Sequence, residues 1–465
     1  MRYVSTRGRA PAVGFTETLL AGLAPDGGLY IPERWPAFTA DEIAAFAGRP
    51  YAEVAAAVLA RFVGDDIPRA TLEAIAADAY ATFAHPAVTP LEQLDSDLWL
   101  LELFHGPTLA FKDVAMQLLA RLYDHVLESR GRTLTIVCAT SGDTGGAAVE
   151  AFRGAAHARI AVLFPEGRIS EVQRRFMTTT VDENVACAAV EGTFDDCQTL
   201  VKALFRDATF KADVDLSGVN SINWARVAAQ AVYYFTAAVA LGAPHRTINF
   251  AVPTGNFGDA FAGYVAREMG LPIGRIVVAT NTNDIVARAF NTGRYAQGQV
   301  AATQSPAMDI QIASNFERLY FEAVGRDAAE TTRAFQAFAE SGAIDLPSQA
   351  FAAMQALFVG EAVDEAETAR TIRETLELTG EVIDPHTAVG VAAAKRAKAR
   401  IEGPLVVLST AHPAKFPEAV EAAIERQPAI HARAHGLFDR DERIDHLPAD
   451  AEAVKAYVRK FAGVA

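Results

Sequence analysis

Cysteine is scarce in this chain: Cys138, Cys187 and Cys197 are the only three in 465 residues. An odd count with no C-x-x-C pair excludes a disulfide framework and suits a reducing cytoplasm, with buried or inert thiols. No run of 18 apolar residues stays uncharged long enough to span a bilayer, so no membrane partner is expected. The start, MRYVSTRGRAPAVGFTETLL, has no basic segment followed by an uninterrupted apolar stretch, and no signal peptide is read in it. Basic residues are outnumbered, 42 Lys and Arg against 57 Asp and Glu, for a formal charge of −15. That balance argues against a nucleic-acid-binding surface and otherwise serves solubility, while leaving room for a local basic pocket. Neither G-x-S-x-G nor H-E-x-x-H occurs, so a serine hydrolase of that type and a zinc protease are unsupported. His431 and His435 stand four apart, but Gly436 follows directly and no metal site is expected.

What is present is a globular composition, 51% hydrophobic and 21% charged. At about 100–200 residues per domain, two to four domains are expected, each able to bury a core without staples. No internal repeat or low-complexity tract interrupts the text. Residues 1–85 read as a mainly helical unit, with Ala-rich helices at 41–47, 51–63 and 71–83 behind the turn-rich PDGGLYIPERWP. HPAVTP at 85–90 marks a boundary. Beyond it, short β-branched runs at 98–104, 134–139, 159–164, 184–190, 247–252, 275–280 and 404–409 alternate with helical runs such as 113–128, 143–152, 170–178 and 194–205. Continuous short apolar runs are strands buried on both faces. Alternation with helices predicts α/β layers around mainly parallel sheet, with ligands at loops beyond the strands' carboxyl ends. The tail at 451–462 reads as a terminal amphipathic helix.

Four strand-end loops carry candidate chemistry. FHGPTLAFKD (104–113) sets Lys112 at a helix mouth among Leu109, Ala110 and Phe111. A helix N-terminus disfavours a cation, so the amine should lose its proton more readily, as Schiff-base chemistry requires. ATSGDTGGAA (139–148) and VPTGNFGDAFAG (252–263) open helices with small residues, which lets backbone N–H groups approach an anion. The second is neither G-x-G-x-x-G nor a P-loop. VLSTAHPAKF (407–416) offers the hydroxyls of Ser409 and Thr410. Position alone leaves bland alternatives open: a surface lysine in a first turn, two tight glycine turns, and a cap opening a helix from Lys415. Together, an amine, a phosphate cradle and a partner for a ring nitrogen fit pyridoxal phosphate.

With these loops quoted, the chain resembles the threonine synthase family, in the branch with an extra N-terminal domain. YVSTRG, PDGGLYIPE, HGPTLAFKD, TSGDTGGAA, SINWAR, PTGNFGD and STAHPAKF carry the resemblance, which covers nearly the whole chain. It implies a tryptophan-synthase-β-like, fold-type-II enzyme of two α/β lobes. Residues 1–85 would form the N-terminal domain and 86–435 the catalytic domain. The smaller lobe would be about 107–240 and the larger lobe 86–106 with 241–435. Residues 436–465 would be a tail. By resemblance Lys112 forms the internal aldimine and moves protons at the substrate α-carbon. Backbone N–H groups of Gly255, Asn256, Phe257, Gly258 and Asp259 would hold the cofactor phosphate, and the Thr410 hydroxyl would face the ring nitrogen. Ser141, Gly142, Asp143 and Thr144 match the loop for the substrate carboxylate, although many relatives of this fold carry Asn where Asp143 stands.

Ser221, Asn223 and Arg226 are put forward for the substrate phosphate, because a forked guanidinium suits it. A helix-surface arginine is the alternative for Arg226. The implied reaction turns O-phospho-L-homoserine and water into L-threonine and phosphate by β,γ-elimination and replacement. A phospholyase releasing 2-oxobutyrate, ammonia and phosphate is the alternative. A non-catalytic phosphate-binding module is a third reading, and it would leave the protein colourless. A cytoplasmic monomer is expected.

Overall fold

The computed structural model describes residues 1–464. They group into two compact units. The first comprises Met1–Ala77, Phe83–His105 and Ser221–Pro428; the second comprises Asp78–Thr82, Gly106–Asn220 and Ala429–Ala465.

The first unit is built on a six-stranded sheet. Its order is Phe358–Ala362, Ile273–Thr280, Ile248–Pro253, Leu405–Ser409, Leu98–Glu102 and Leu91–Asp95. The first five run parallel; the edge strand Leu91–Asp95 pairs antiparallel. Five of those six segments are apolar enough to sit under helices. The two edge strands, Leu91–Asp95 with Glu92 and Gln93 in its middle and Phe358–Ala362 with Glu361, went unpredicted. The helix Pro385–Ala397 lies close on this sheet. A Cβ on its Gly390 would stand 2.8 Å from Val407 Cγ1 and 3.1 Å from Pro253, so the approach needs glycine. Its alanines pack with Val277, Val359, Leu405 and Val407 in one core.

The N-terminal residues belong to this unit through aromatic and ionic anchors. The Tyr3 hydroxyl donates to the Phe62 carbonyl at 2.8 Å. The rings of Tyr3, Trp35 and Phe62 each lie 5.5–5.9 Å from the fully buried Trp224. Thr6 donates to Glu317 at 2.6 Å, and Arg7 binds the same carboxylate through two nitrogens at 3.2 and 3.0 Å. The YVSTRG motif therefore has a structural role in this unit.

In the second unit five strands are all parallel. Their order is Asp445–Leu447, Val185–Val190, Ala158–Pro165, Leu134–Ala139 and Leu216–Ser217. The terminal helix Ala451–Ala462 is capped by Asp450, whose side chain accepts from Ala453 N–H. It buries Val454 and Val458 completely among Leu163, Val190 and Leu204. Burial of a valine contributes about 1.5–3 kcal/mol, so this helix is held by its apolar stripe.

One expectation needs correction. No α-helix opens at Lys415: a 3-10 turn, Pro413–Lys415, comes first, capped by His412, and the α-helix begins at Pro417. Proline at the first helical position fixes that start.

All three cysteines are buried and unbridged. Burial pushes the Cys187 thiol up to about 12 and the Cys197 thiol to about 11. Since the thiolate is the reactive form, a thiol reagent at pH 8 should label none of them in the native protein and all three after denaturation. A native-state labelling rate equal to the denatured rate would contradict this burial. Among the described residues, no helix is long and apolar enough to cross a membrane.

Candidate active site

In the second unit, Lys112 is the first residue of the helix Lys112–Ser129 and is only 8% exposed, which removes the surface-lysine alternative. Its turn is folded by its neighbour. The carboxylate of Asp113, fully buried, accepts from Thr108 N–H and from the Thr108 hydroxyl, both at 2.7 Å. Leu109 sits at φ +61°, a left-handed conformation that a leucine keeps only when its surroundings fix it. Gly106 passes so close that a Cβ there would stand 2.4 Å from Asp113 Cβ. Asp113 and Thr108 thus aim the residue that carries the amine.

The amine does not sit in apolar company alone. Lys112 Nζ lies 3.5 Å from Asp143 Oδ2 and 4.6 Å from the centre of the Phe111 ring. A carboxylate at that distance favours the ammonium form, against the helix N-terminus that disfavours it. The sequence suggested only the second effect. Asp143 is in turn oriented by Gln173, whose Nε2 donates to Asp143 Oδ1 at 3.0 Å. Gln173 was missed as a site residue. Its sequence signal was a capping box: Ser170 and Gln173 cap each other at the start of Glu171–Thr178.

The loop around Asp143 is tightly wound. Gly142 has φ +132°, and a Cβ on it would stand 2.5 Å from Gln173 Cδ. The Thr140 hydroxyl accepts from the N–H groups of Gly142 (3.0 Å) and Gly145 (2.8 Å). Those two amides serve the loop's own geometry in this structure. Ser141 and Thr144 are half-buried beside them, and Asp143 is 6% exposed.

In the first unit, Gly255, Asn256, Phe257, Gly258 and Asp259 join the strand Ile248–Pro253 to the helix Gly258–Glu268. Phe257 adopts φ +61°, the left-handed region that non-glycine residues avoid. Its buried ring is wedged among Phe290, Phe316 and Phe358, at 5.5–6.1 Å between centroids. Gly255 runs against the chain: a Cβ there would stand 2.5 Å from the Ala307 carbonyl. The Asp259 carboxylate accepts from Tyr233 (2.5 Å) and Tyr234 (3.0 Å), so its side chain braces the helix. Burial first, and then that carboxylate, hold both tyrosine hydroxyls well above their usual range.

Ser221 is half-buried ahead of the helix Trp224–Ala240. The Asn223 side chain caps this helix, accepting from Ala225 N–H at 3.0 Å, and donates to the Leu19 carbonyl at 2.8 Å. That is a structural duty its sequence did not reveal. Arg226 is 4% exposed, so it is not a helix-surface arginine. Thr410, 5% exposed, follows the strand Leu405–Ser409. Ser409 beside it is 3.1 Å from the Thr387 hydroxyl, which Asp384 holds. Asp384 also binds His386 Nδ1 at 2.7 Å, and both are helix-start residues. No group of three or more His, Cys, Asp or Glu placed to hold a metal occurs among the described residues.

Each unit has groups that fit pyridoxal phosphate: the second a buried primary amine, the first a glycine-flanked helix N-terminus and a hydroxyl at a strand end. The family model for pyridoxal-phosphate-dependent enzymes matches residues 82–361. The class is thereby defined as an enzyme working with this cofactor. Models for the threonine synthase N terminus and for its C-terminal region match residues 2–80 and 387–458. The threonine synthase of Pseudomonas aeruginosa is 51% identical over 459 residues, covering 98% of each chain. The crystal structure of pyridoxal-phosphate-bound threonine synthase from Brucella melitensis superposes with a TM-score of 0.97 at 53% identity, covering 99% of each chain. The yeast threonine synthase structure gives 0.94 at 37%, again over 99% of each. The chain belongs to the threonine synthase family.

Proposed function

We propose that this chain converts O-phospho-L-homoserine and water to L-threonine and phosphate. The observation that carries the reading is the buried Lys112 amine at a helix start, 3.5 Å from Asp143, in a chain whose whole length follows threonine synthases. Pyridoxal phosphate, when bound, would supply an electron sink for negative charge developing at the substrate carbons.

The chain's own residues do the rest. Lys112 holds the cofactor and moves the proton at the substrate α-carbon. Asp143, fixed by Gln173, keeps a proton available at the Lys112 amine. The N–H groups of Gly255 through Asp259 hold the cofactor phosphate at the start of the helix Gly258–Glu268, where the macrodipole favours an anion. The Thr410 hydroxyl meets the ring nitrogen, and a neutral hydroxyl leaves that nitrogen less charged than a carboxylate would. Ser141, Thr144 and the Asp143 backbone take the substrate carboxylate, and Gly142, whose N–H the Thr140 hydroxyl holds, shapes the turn that presents them. Ser221 and Arg226 take the substrate phosphate, and Asn223 sets the helix start that places Arg226. In the net reaction a β-proton is lost and phosphate leaves the γ-carbon first; the γ-carbon then takes up a proton, and water adds at the β-carbon.

The wider reading is a fold-type-II enzyme of the cytoplasm, acting as a monomer. It is organised as residues 1–85, 86–435 and 436–465; the family models that meet near residue 81 support the first boundary.

Product analysis tests the function. Cofactor-loaded protein given O-phospho-L-homoserine should release threonine and phosphate in equal amounts. Phosphate with 2-oxobutyrate and ammonia would move the chain to the phospholyase class.

A further inference from the structure

Behind the Gly255–Asp259 loop lies a buried arginine with no part in the chemistry above. Arg318 is fully buried on the helix Phe316–Ala323. It donates through Nε to the Tyr30 carbonyl (3.0 Å), through one terminal nitrogen to the Ile222 carbonyl (2.6 Å) and through the other to Asn315 Oδ1. The Trp224 ring lies 5.6 Å from its guanidinium carbon. Burial pulls this guanidinium down to about 9, and the nearby Glu317 charge opposes that shift. A buried cation is costly unless its donors are satisfied, and here three oxygens satisfy it.

Asn315 passes this order on. With its Oδ1 fixed by Arg318, its amide can point only one way, and Nδ2 donates to the carbonyls of Ser221 (3.0 Å) and Asn256 (3.2 Å). Its backbone N–H also donates to the Asn256 carbonyl, at 3.1 Å. The Ser314 hydroxyl donates to Asn256 Oδ1 at 3.2 Å. A Cβ on Gly258 would stand 3.2 Å from Asn315 Nδ2, so the clamp lies directly against the helix start. Next to Asn256, Phe257 holds its unfavourable left-handed backbone. Such a conformation persists only where the surroundings over-determine it.

We infer that Asn315, oriented by Arg318 and assisted by Ser314, is a positioning residue that sets the Asn256 peptide so that the loop can grip the cofactor phosphate. The same amide fixes Ser221, tying the two anion-binding segments of this unit to one side chain. With the Asn256 carbonyl held by two donors, the Phe257 N–H in the same peptide plane is committed in direction before an anion arrives. The inference rests on the reading of 255–259 as the phosphate loop.

The test compares Asn315→Ala, Ser314→Ala and a control, Val420→Ala, which empties a fully buried site in the same unit. Pyridoxal phosphate affinity is measured by equilibrium dialysis, and the bound cofactor's phosphorus resonance by NMR. Loss of buried hydrogen bonds should weaken cofactor binding about 10- to 100-fold in Asn315→Ala and about threefold in Ser314→Ala. The phosphorus resonance should move in both. Val420→Ala should lose thermal stability with affinity and resonance unchanged. Wild-type affinity and resonance in Asn315→Ala would overturn the inference, as would equal cofactor loss in Val420→Ala. If Asn315→Ala does not fold, Ser314→Ala decides on the same two readouts. A wild-type protein that takes up no pyridoxal phosphate would instead overturn the phosphate-loop reading, and the inference with it.

Discussion

Replacing Lys112 with alanine is expected to lower turnover by more than about 1,000-fold, since one side chain supplies both the attachment point and the proton carrier. The protein should still fold. The helix is held by Val114, Leu118, Leu122 and Val126, buried along its length. Cofactor should still associate with the variant, but without a covalent bond. Borohydride treatment followed by mass measurement separates the two forms: the wild type gains a pyridoxyl group on Lys112 and the variant gains none. An unmodified Lys112 in the reduced wild type, or turnover in the variant within tenfold of wild type, would remove this lysine from its place.

The second large effect is expected at Gly255. An alanine Cβ there would stand 2.5 Å from the Ala307 carbonyl, a contact closer than real Cβ atoms make. Backbone rather than a flexible side chain is in the way, so the loop itself must shift. Overpacking of this kind costs about 1–3 kcal/mol. If that cost falls on the cofactor-holding conformation, Gly255→Ala should bind pyridoxal phosphate about 10- to 100-fold more weakly. Dialysis against graded cofactor concentrations measures it. Undiminished affinity would mean that the Gly255 peptide takes no part in holding the phosphate.

Much of the architecture was legible because local rules and tertiary packing agreed. The helices Tyr51–Val63, Asp143–Phe152 and Ala451–Ala462 and the strand Leu134–Ala139 fall at the bounds their patterns predict. Each has a strong apolar period or run and a clear terminal residue. The strands Leu91–Asp95 and Phe358–Ala362 did not: both lie at the edges of their sheet, and an edge strand needs no continuous apolar run. The site divided in the same way. Lysine at a helix mouth and glycines after strands are local signals, and motif resemblance extended them.

The contacts that orient those groups are not local. Gln173 reaches Asp143 across 30 residues, Asn315 reaches Asn256 across 59, and Asn223 reaches Leu19 across 204. Nothing in the neighbourhood of any of these residues encodes its partner. The same holds for the Lys112 amine: the helix position suggested a neutral group, and only the fold brought Asp143 beside it.

The most direct test of the proposed chemistry is turnover of O-phospho-L-homoserine in water enriched in oxygen-18. Carbon–oxygen cleavage with water added at the β-carbon predicts one heavy oxygen in the threonine hydroxyl and none in the released phosphate. Heavy oxygen in phosphate, with homoserine as the organic product, would show phosphorus–oxygen cleavage and contradict the account.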